Sequence, residues 1–266
     1  MIVRHRDDGV EAISQHAHSW LCAQFGRHWA WPHPLGEPGS PLVEEFLLGA
    51  AEHDIGYLEW EAAPQLDPRT GLPFNFLKMP SDEHLCRWRT GIARLRPTSL
   101  LGSLMVSHHA YRIVCPDTED ELHGKTENGE VRAFLEEQRR YQEQATRDLV
   151  PDPRYARLRD PEVQNRMTLL LRVWDLLSLY LCMDLAGPER IPQTPSADGV
   201  RELVFTRRER NRYALAPWPF RLPKLTGHVA RRRLRDRYRD EAEMRAHLTT
   251  LAPDYWEFTL EPGEEA

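Results

Sequence analysis

The first two thirds of the chain carry apolar residues at helical spacing, separated by loops rich in proline and glycine. Residues 13–24 follow this spacing and predict a first helix. Ser40-Pro41 has the form of an N-cap followed by proline at the first helical position, which opens a second helix. Further helices are predicted at residues 82–95, 99–114, 130–149 and 164–185. The pattern therefore predicts an all-α region that extends to about Gly187.

The pattern changes after Gly187. A proline-rich linker is followed by short alternating runs, which predict strands at residues 202–206, 212–216, 228–234 and 255–260 and a helix at residues 241–251. The sequence therefore predicts a mainly α fold with two domains: an all-α domain at residues 1–187, and a small α+β appendage at residues 188–266 packed on it. Within the first domain, residues 61–81 predict a long irregular loop of the kind that often carries function.

Composition and charge exclude several classes of protein. The chain has 266 residues, 41% hydrophobic and 29% charged, which is typical of a globular protein rather than a disordered one. No apolar run reaches the roughly 20 residues that span a bilayer, and the charged start resembles no secretory signal, so we expect a cytoplasmic protein with no membrane partner. The net charge of −6 argues against a dedicated nucleic-acid binder. The four cysteines form no C-x-x-C pair, which argues against a zinc ribbon.

Asp175 is the most informative polar position. Residues three and four positions away include Leu171, Ser178 and Leu179, so Asp175 lies at or near a buried helix face. Burying an unpaired carboxylate is costly, so we expect a metal ion, a histidine or an arginine within its reach. An ion pair with Arg172 along the helix surface is the alternative.

Histidines occur in the other helical segments. His53-Asp54 ends the second predicted helix, where neighbours diverge by about 100° and can approach one metal ion from two directions. His108-His109 lies in an apolar helix, so one imidazole is expected to be buried, with a metal ion and an acceptor satisfying its two nitrogens. The structural alternatives are a helix-ending histidine beside a turn-forming aspartate, and a core histidine with ordinary hydrogen bonds.

His18, in the first helix, forms a polar stripe with Gln15 and Cys22 at helical spacing. Such a stripe beside a core can line a site. His16, which projects elsewhere, is expected at the surface.

The ordered set of His18, His53-Asp54, His108 or His109, and Asp175 resembles the HD superfamily of metal-dependent phosphohydrolases over residues 10–186. The segment His53-Asp-Ile-Gly and the His108-His109 doublet are similar to its two-metal HD-GYP branch. Tyr57 stands where that branch has lysine, and the Gly-Tyr-Pro signature is absent, so its cyclic-dinucleotide activity is not implied. The resemblance implies an HD-like helical domain whose metal ligands are His18, His53, Asp54, His108, His109 and Asp175.

The resemblance also implies chemistry. Histidine and carboxylate ligands suit one or two divalent ions of Fe, Mn, Zn or Ni. The implied reaction is hydrolysis of a phosphoester by metal-bound hydroxide, with His53 and Asp54 at the catalytic centre. Lys78 and Arg112 would then hold a small anionic substrate, expected to be phosphorylated. A homo-oligomer is compatible with the sequence.

Two alternatives share these ligands or this fold. The first is an HD-type di-iron oxygenase, which uses the same kinds of ligand. The second is a non-catalytic HD-like binding protein whose basic stretch, Arg207 to Arg239, contacts a partner; the acidic residues interleaved there favour a solvated face.

Over nearly its full length the chain also resembles the bacterial family catalogued as domain of unknown function 3891. That resemblance supplies no activity. It is carried by Gln15-x-x-His18, His53-Asp54-x-Gly56, Asp67-x-x-Thr-Gly71-x-Pro-x-x-Phe76, Ser107-x-His109, Asp175-x-Leu-Ser178-Leu and Pro217-Trp-Pro-Phe220.

Overall fold

The computed structural model describes residues 1–30, 36–37, 39–115, 129–196 and 199–264. Its α-helices are α1 (Gln15–His28), α2 (Pro41–Ala51), α3 (Leu58–Ala62), α4 (Ser81–Leu95), α5 (Leu100–Val114), α6 (Gly129–Leu149), α7 (Pro161–Cys182) and α8 (Glu241–Thr250). Its strands are β1 (Ile2–Arg6), β2 (Gly9–Ile13), β3 (Leu66–Asp67), β4 (Leu72–Pro73), β5 (Glu189–Ser196), β6 (Gly199–Glu209), β7 (Arg212–Ala216), β8 (Leu225–Leu234) and β9 (Asp254–Pro262). Short 3-10 helices lie at Ile55–Tyr57, Phe76–Lys78 and Pro153–Arg159.

The chain divides into two compact units. The first, called the sheet unit below, comprises Met1–Trp31, Tyr57–Met79 and Val173–Ala266. The second, called the helical unit, comprises Pro32–Gly56 and Pro80–Arg172. The division into domains at residues 1–187 and 188–266 stays a prediction.

The sheet unit contains a curled sheet of seven strands in the order β1-β2-β8-β9-β7-β6-β5. Neighbouring strands are antiparallel except β7 and β9, which are parallel. The N-terminal hairpin β1-β2 joins this sheet through β8, with Val10 opposite Leu234. Strands from the two ends of the chain therefore share one sheet.

This architecture shows that the predicted fold class is wrong. The chain is not a mainly α, HD-like helical domain with a small appendage, nor is it all-α up to Gly187, because residues 2–13 are strands of the large sheet. The hairpin escaped the sequence pattern because charged side chains face inward. Arg4 and Glu11 are both buried, and Arg4 Nε donates to Glu11 Oε2 at 3.0 Å. Buried ion pairs of this kind disguise the alternation that marks a strand.

In the sheet unit, α1 begins at Ser14, whose hydroxyl accepts a hydrogen bond from Ala17 N at 3.0 Å. Beyond its other end, Trp29 packs edge-on against Trp174 of α7 and Phe220. A backbone hydrogen bond from Ala30 N to Pro219 O adds to this contact. The C-terminal end of the helix is therefore held against its own unit.

The helical unit follows the predicted pattern more closely. Ser40 caps α2 with Pro41 at its first position, which confirms that prediction. Helices α4, α5 and α6 lie within two residues of the predicted ranges. Leu85, Ala110 and Phe134 belong to a buried cluster that packs these three helices together. Ser107 of α5 also donates to Gln138 of α6 at 2.9 Å, which fixes the rotation of α5.

Helix α7 runs through the boundary at residues 172 and 173, so its first part belongs to the helical unit and its last part to the sheet unit.

Among the described residues, none of the helices is both long enough and apolar enough to cross a membrane.

Candidate metal centre

Helix α1 carries the first candidate ligand. His18 lies one turn after the Ser14 cap and is almost fully buried. Its Nδ1 lies 2.7 Å from Ser178 Oγ, and its Nε2 lies 3.8 Å from Asp175 Oδ1. Ser178 and Asp175 are both on α7, and all three residues belong to the sheet unit. The structure therefore brings together His18 and Asp175, which are 157 residues apart in the chain.

The hydrogen bonds around Ser178 fix the tautomer of His18. Ser178 has one hydroxyl proton, which it donates to the carbonyl oxygen of Asp175 at 2.8 Å. Towards His18 the hydroxyl oxygen must therefore accept, so the proton of a neutral His18 is on Nδ1. The lone pair of the imidazole is then on Nε2, the atom that faces the Asp175 carboxylate.

Cys22 extends this group by one helical turn. Its Sγ, a ring nitrogen of His18 and a carboxylate oxygen of Asp175 all lie within 4.8 Å of one another. All three side chains are buried. Cys22 was not among the predicted ligands, although its position four residues after His18 was the available signal.

The helical unit contains a second group, at the end of α2. The helix ends at Ala51, and a turn carries His53 and Asp54, both buried. His53 Nδ1 lies 2.9 Å from Ala50 O. A carbonyl oxygen can only accept, so in a neutral His53 the proton is on Nδ1 and the lone pair is on Nε2. That Nε2 lies 3.6 Å from Asp54 Oδ2.

His109 of α5 belongs to the same group. Its ring packs edge-on against His53, with centroids 5.2 Å apart, and it is buried. Within the helical unit, the predicted residues His53, Asp54 and His109 are therefore neighbours.

His108 faces a different direction. Gln164 donates its amide hydrogen to Leu158 O at 2.6 Å, so its amide oxygen faces His108 and accepts from Nε2 at 3.1 Å. Burial lowers the pKa of His108 from 6.5 to about 4, an effect that the hydrogen bond to Gln164 opposes. His108 is therefore neutral at physiological pH and lines a cleft of about 330 Å³ together with Arg112 and Cys115.

The other predicted substrate-binding residue, Lys78, lies in the sheet unit after β4. Its ammonium group is 3.2 Å from Asp67 Oδ2. The pKa of Asp67 is lowered by the hydrogen bond from the backbone of Arg69, and Lys78 and the Arg69 side chain add to this effect. The Lys78 charge therefore already has a partner, and Arg112 lines the cleft beside His108.

The separations at His18 and His53 are compatible with a shared metal ion. In each case an imidazole lone pair faces a carboxylate oxygen, and a cation between them would offset their repulsion. A proton shared by such a pair would bring the atoms to about 2.7–2.9 Å. Two ligands on one transition-metal ion, each about 2.0–2.2 Å from it, lie roughly 3–3.5 Å apart, much closer to the observed separations. Nitrogen and carboxylate donors together suit Fe, Mn, Zn or Ni.

With this geometry in place, the comparisons identify the family. A family model described as "Protein of unknown function (DUF3891)" matches residues 1–236, and the chain belongs to that family. This confirms the family predicted from the sequence. No curated protein and no solved structure matches the chain. The family description gives no activity, so the function has to be argued from the side chains.

Proposed function

We propose that this protein is a metal-dependent hydrolase that cleaves a phosphoester. One observation carries the proposal: His18 and His53 each have Nδ1 occupied by an oxygen, so that an Nε2 lone pair faces a buried carboxylate at 3.6–3.8 Å. Each histidine, opposed to an aspartate of its own unit, is a donor pair for a divalent ion. The order of the candidate ligands resembles that of the HD superfamily, which supports this proposal. The fold is not used as support for it.

Each residue of the donor set has a distinct part in this proposal. Ser178 and the Ala50 carbonyl hold the two imidazoles in the ligating tautomer, and such outer contacts also make the ring a better donor. Asp175 and Asp54 supply negative charge beside them. When bound, the ion would act as a Lewis acid and lower the pKa of a coordinated water towards neutrality. Burial of the side chains excludes bulk water and strengthens their interaction with charge.

The proposed substrate is a small anionic molecule that carries a phosphoester. Arg112 is the main candidate for its contact, because its guanidinium lines the cleft beside the neutral His108. Lys78 is the second candidate, and it would have to exchange Asp67 for the substrate. The cytoplasmic location and a homo-oligomeric state stay predictions of the sequence.

The first experiment is elemental analysis of the full chain, purified without a histidine tag and without chelator. We expect one or two equivalents of Fe, Mn, Zn or Ni. Asp54→Ala and Asp175→Ala should each lose metal while circular dichroism shows them folded. The stoichiometry left in each variant tells whether the two groups bind separate ions. Asp82→Ala, which removes an exposed carboxylate at the start of α4, is the matched control and should keep the full metal content.

A second experiment tests the reaction. The metal-loaded protein should hydrolyse p-nitrophenyl phosphate or its bis-ester, and both aspartate variants should lose this turnover. Full metal retention in both variants would overturn the site. Metal binding without turnover of either ester, together with an optical band of oxo-bridged iron, would overturn the hydrolase in favour of oxygen chemistry.

A further inference from the structure

A cleft of about 400 Å³ lies on the sheet unit, among residues that have no part in the metal proposal. Its lining includes three small side chains, Ala12, Ala17 and Ala230. Larger side chains also line it: Trp20, His228, Tyr255 and Arg232. Its size is that of pockets that hold small organic ligands.

Strand alternation brings these side chains to one face. His228, Ala230 and Arg232 are alternate residues of β8 and therefore point to the same side of the sheet. On the neighbouring strands, Tyr255 lies opposite Ala230 and Ala12 lies opposite Arg232. Because directly opposed residues share a face, the aromatic and basic groups surround a space that the alanines leave open.

Helix α1 forms the wall of the cleft. Ala17 and Trp20 lie on the face of α1 that lines it, whereas His18 and Cys22 lie on the face towards α7. The Trp20 ring is 41% exposed and contacts His228 edge-on at 5.5 Å. His228 in turn contacts Tyr255 at 5.5 Å, and Tyr255 is 62% exposed. Three aromatic rings therefore form a continuous exposed row beside the cleft.

The cleft also has an uncompensated positive charge. Arg231 is neutralised by Glu11 and Asp254. Arg232 differs: it is half-buried, lines the cleft and forms no ion pair with any residue that the structure describes. Glu257 is the acidic residue of β9 on this face, and it lies opposite His228 rather than opposite Arg232. A guanidinium that lines a cleft without a carboxylate partner is suited to a ligand with acceptor oxygens.

We propose that this cleft binds a nucleoside monophosphate, with the planar base against the aromatic row and the phosphate on Arg232. Exposed aromatic rings bind bases by stacking, and a guanidinium matches the geometry of phosphate oxygens. The cleft accommodates one small ligand, and the net charge of −6 disfavours a long polyanion. The proposal is independent of the metal centre.

Isothermal titration of the full chain with adenosine 5′-monophosphate tests this proposal. EDTA is present throughout, so that any metal-dependent contact with phosphate is removed and failure of the hydrolase proposal leaves the result unaffected. Binding of the nucleotide is expected, with adenosine weaker by about tenfold or more because the contact with Arg232 is lost. Inorganic phosphate alone should bind more weakly than the nucleotide.

Variants locate the ligand. Arg232→Gln should raise the Kd by about tenfold or more, and Trp20→Ala by at least about fivefold. Ala230→Leu fills the cleft but leaves Arg232 and Trp20 unaltered. It should abolish binding while the melting temperature changes little. Arg233→Gln is the matched control: the next residue of β8 points to the opposite face, is exposed and pairs with Asp8, so binding should be unchanged.

Three results would overturn the proposal. The first is that millimolar nucleotide gives no heat and no change in Trp fluorescence. The second is that Arg232→Gln or Trp20→Ala binds as tightly as the unaltered chain. The third is that a 5′-phosphorylated oligoadenylate binds more tightly than the mononucleotide, which would assign the aromatic row to single-stranded nucleic acid.

Discussion

The hydroxyl of Ser178 decides which nitrogen of His18 is available as a ligand. It accepts from Nδ1 and donates to the Asp175 carbonyl, so one small side chain orients two neighbours. It also lies 3.5 Å from Cys22 Sγ. Ser178 is therefore a positioning residue for the candidate metal centre. The sequence marked it as a helical neighbour of Asp175 and as part of the family resemblance, but gave it no role.

Replacing Ser178 by alanine should lower the affinity for the metal ion by about 10–100-fold, because the imidazole loses the contact that holds its tautomer. Competition with a chelating dye measures this affinity. Thr168→Ala is the matched control, since Thr168 makes a comparable hydroxyl-to-carbonyl bond on the same helix, in the other unit. An equal loss of affinity in both variants would show that α7 stability, not the contact with His18, was responsible.

At the scale of elements, Gly56 lets the turn after α2 approach α4. A Cβ atom on Gly56 would lie 1.9 Å from the carbonyl oxygen of Arg87 and 2.8 Å from Gly91 N. Both of those atoms are backbone, so no side chain can move aside. The glycine does not stop α2, because the helix ends at Ala51 with Glu52 as its C-cap. The glycine instead provides space beside the turn that carries His53 and Asp54.

Gly56→Ala should therefore destabilise the protein by about 3 kcal/mol or more, the upper range for overpacking. Chemical denaturation followed by circular dichroism measures the change. Gly129→Ala, at the start of α6, is the control: its Cβ would meet nothing within 4 Å, and it should be neutral or slightly stabilising. A loss below about 1 kcal/mol for Gly56→Ala would contradict the close approach.

At the scale of the whole molecule, the four cysteines differ in how deeply they are buried. Cys22 and Cys182 are buried, Cys86 is exposed, and Cys115 is intermediate. Burial raises the pKa of the Cys182 thiol to about 12, so its reactive thiolate is scarce in the native state. The reactivity of the two buried thiols, Cys22 and Cys182, therefore reports on global unfolding.

In native buffer, a thiol reagent should modify Cys86 quickly, and Cys22 and Cys182 more slowly by a factor of at least about 10³, because their reaction requires opening of the fold. Mass spectrometry after timed quenching measures the rates. Cys86→Ser should remove the fast phase, and denaturant should expose the two buried thiols together. Rapid native labelling of Cys182 would contradict its burial.

Local signals in the sequence determined the helices of the helical unit, the Ser40-Pro41 start of α2 and the family. They also singled out His18, His53, Asp54, His109 and Asp175, since imidazoles and carboxylates in apolar helices need partners wherever the helices lie. These conclusions depend on the spacing of residues within about one or two helical turns, and this spacing can be read directly from the sequence. Their assignment as metal ligands stays a prediction.

Only the tertiary structure decided the rest. The β1-β2 hairpin joins β8 more than 200 residues away, and its inward-facing Arg4 and Glu11 hide the strand pattern. The separate environments of His108 and His109 depend on the rotation of α5, which contacts with α6 and α7 fix. The cleft around Arg232 requires strands from both ends of the chain. Strand pairing and helix rotation are set by residues far away in the sequence, so a local sequence pattern does not predict them.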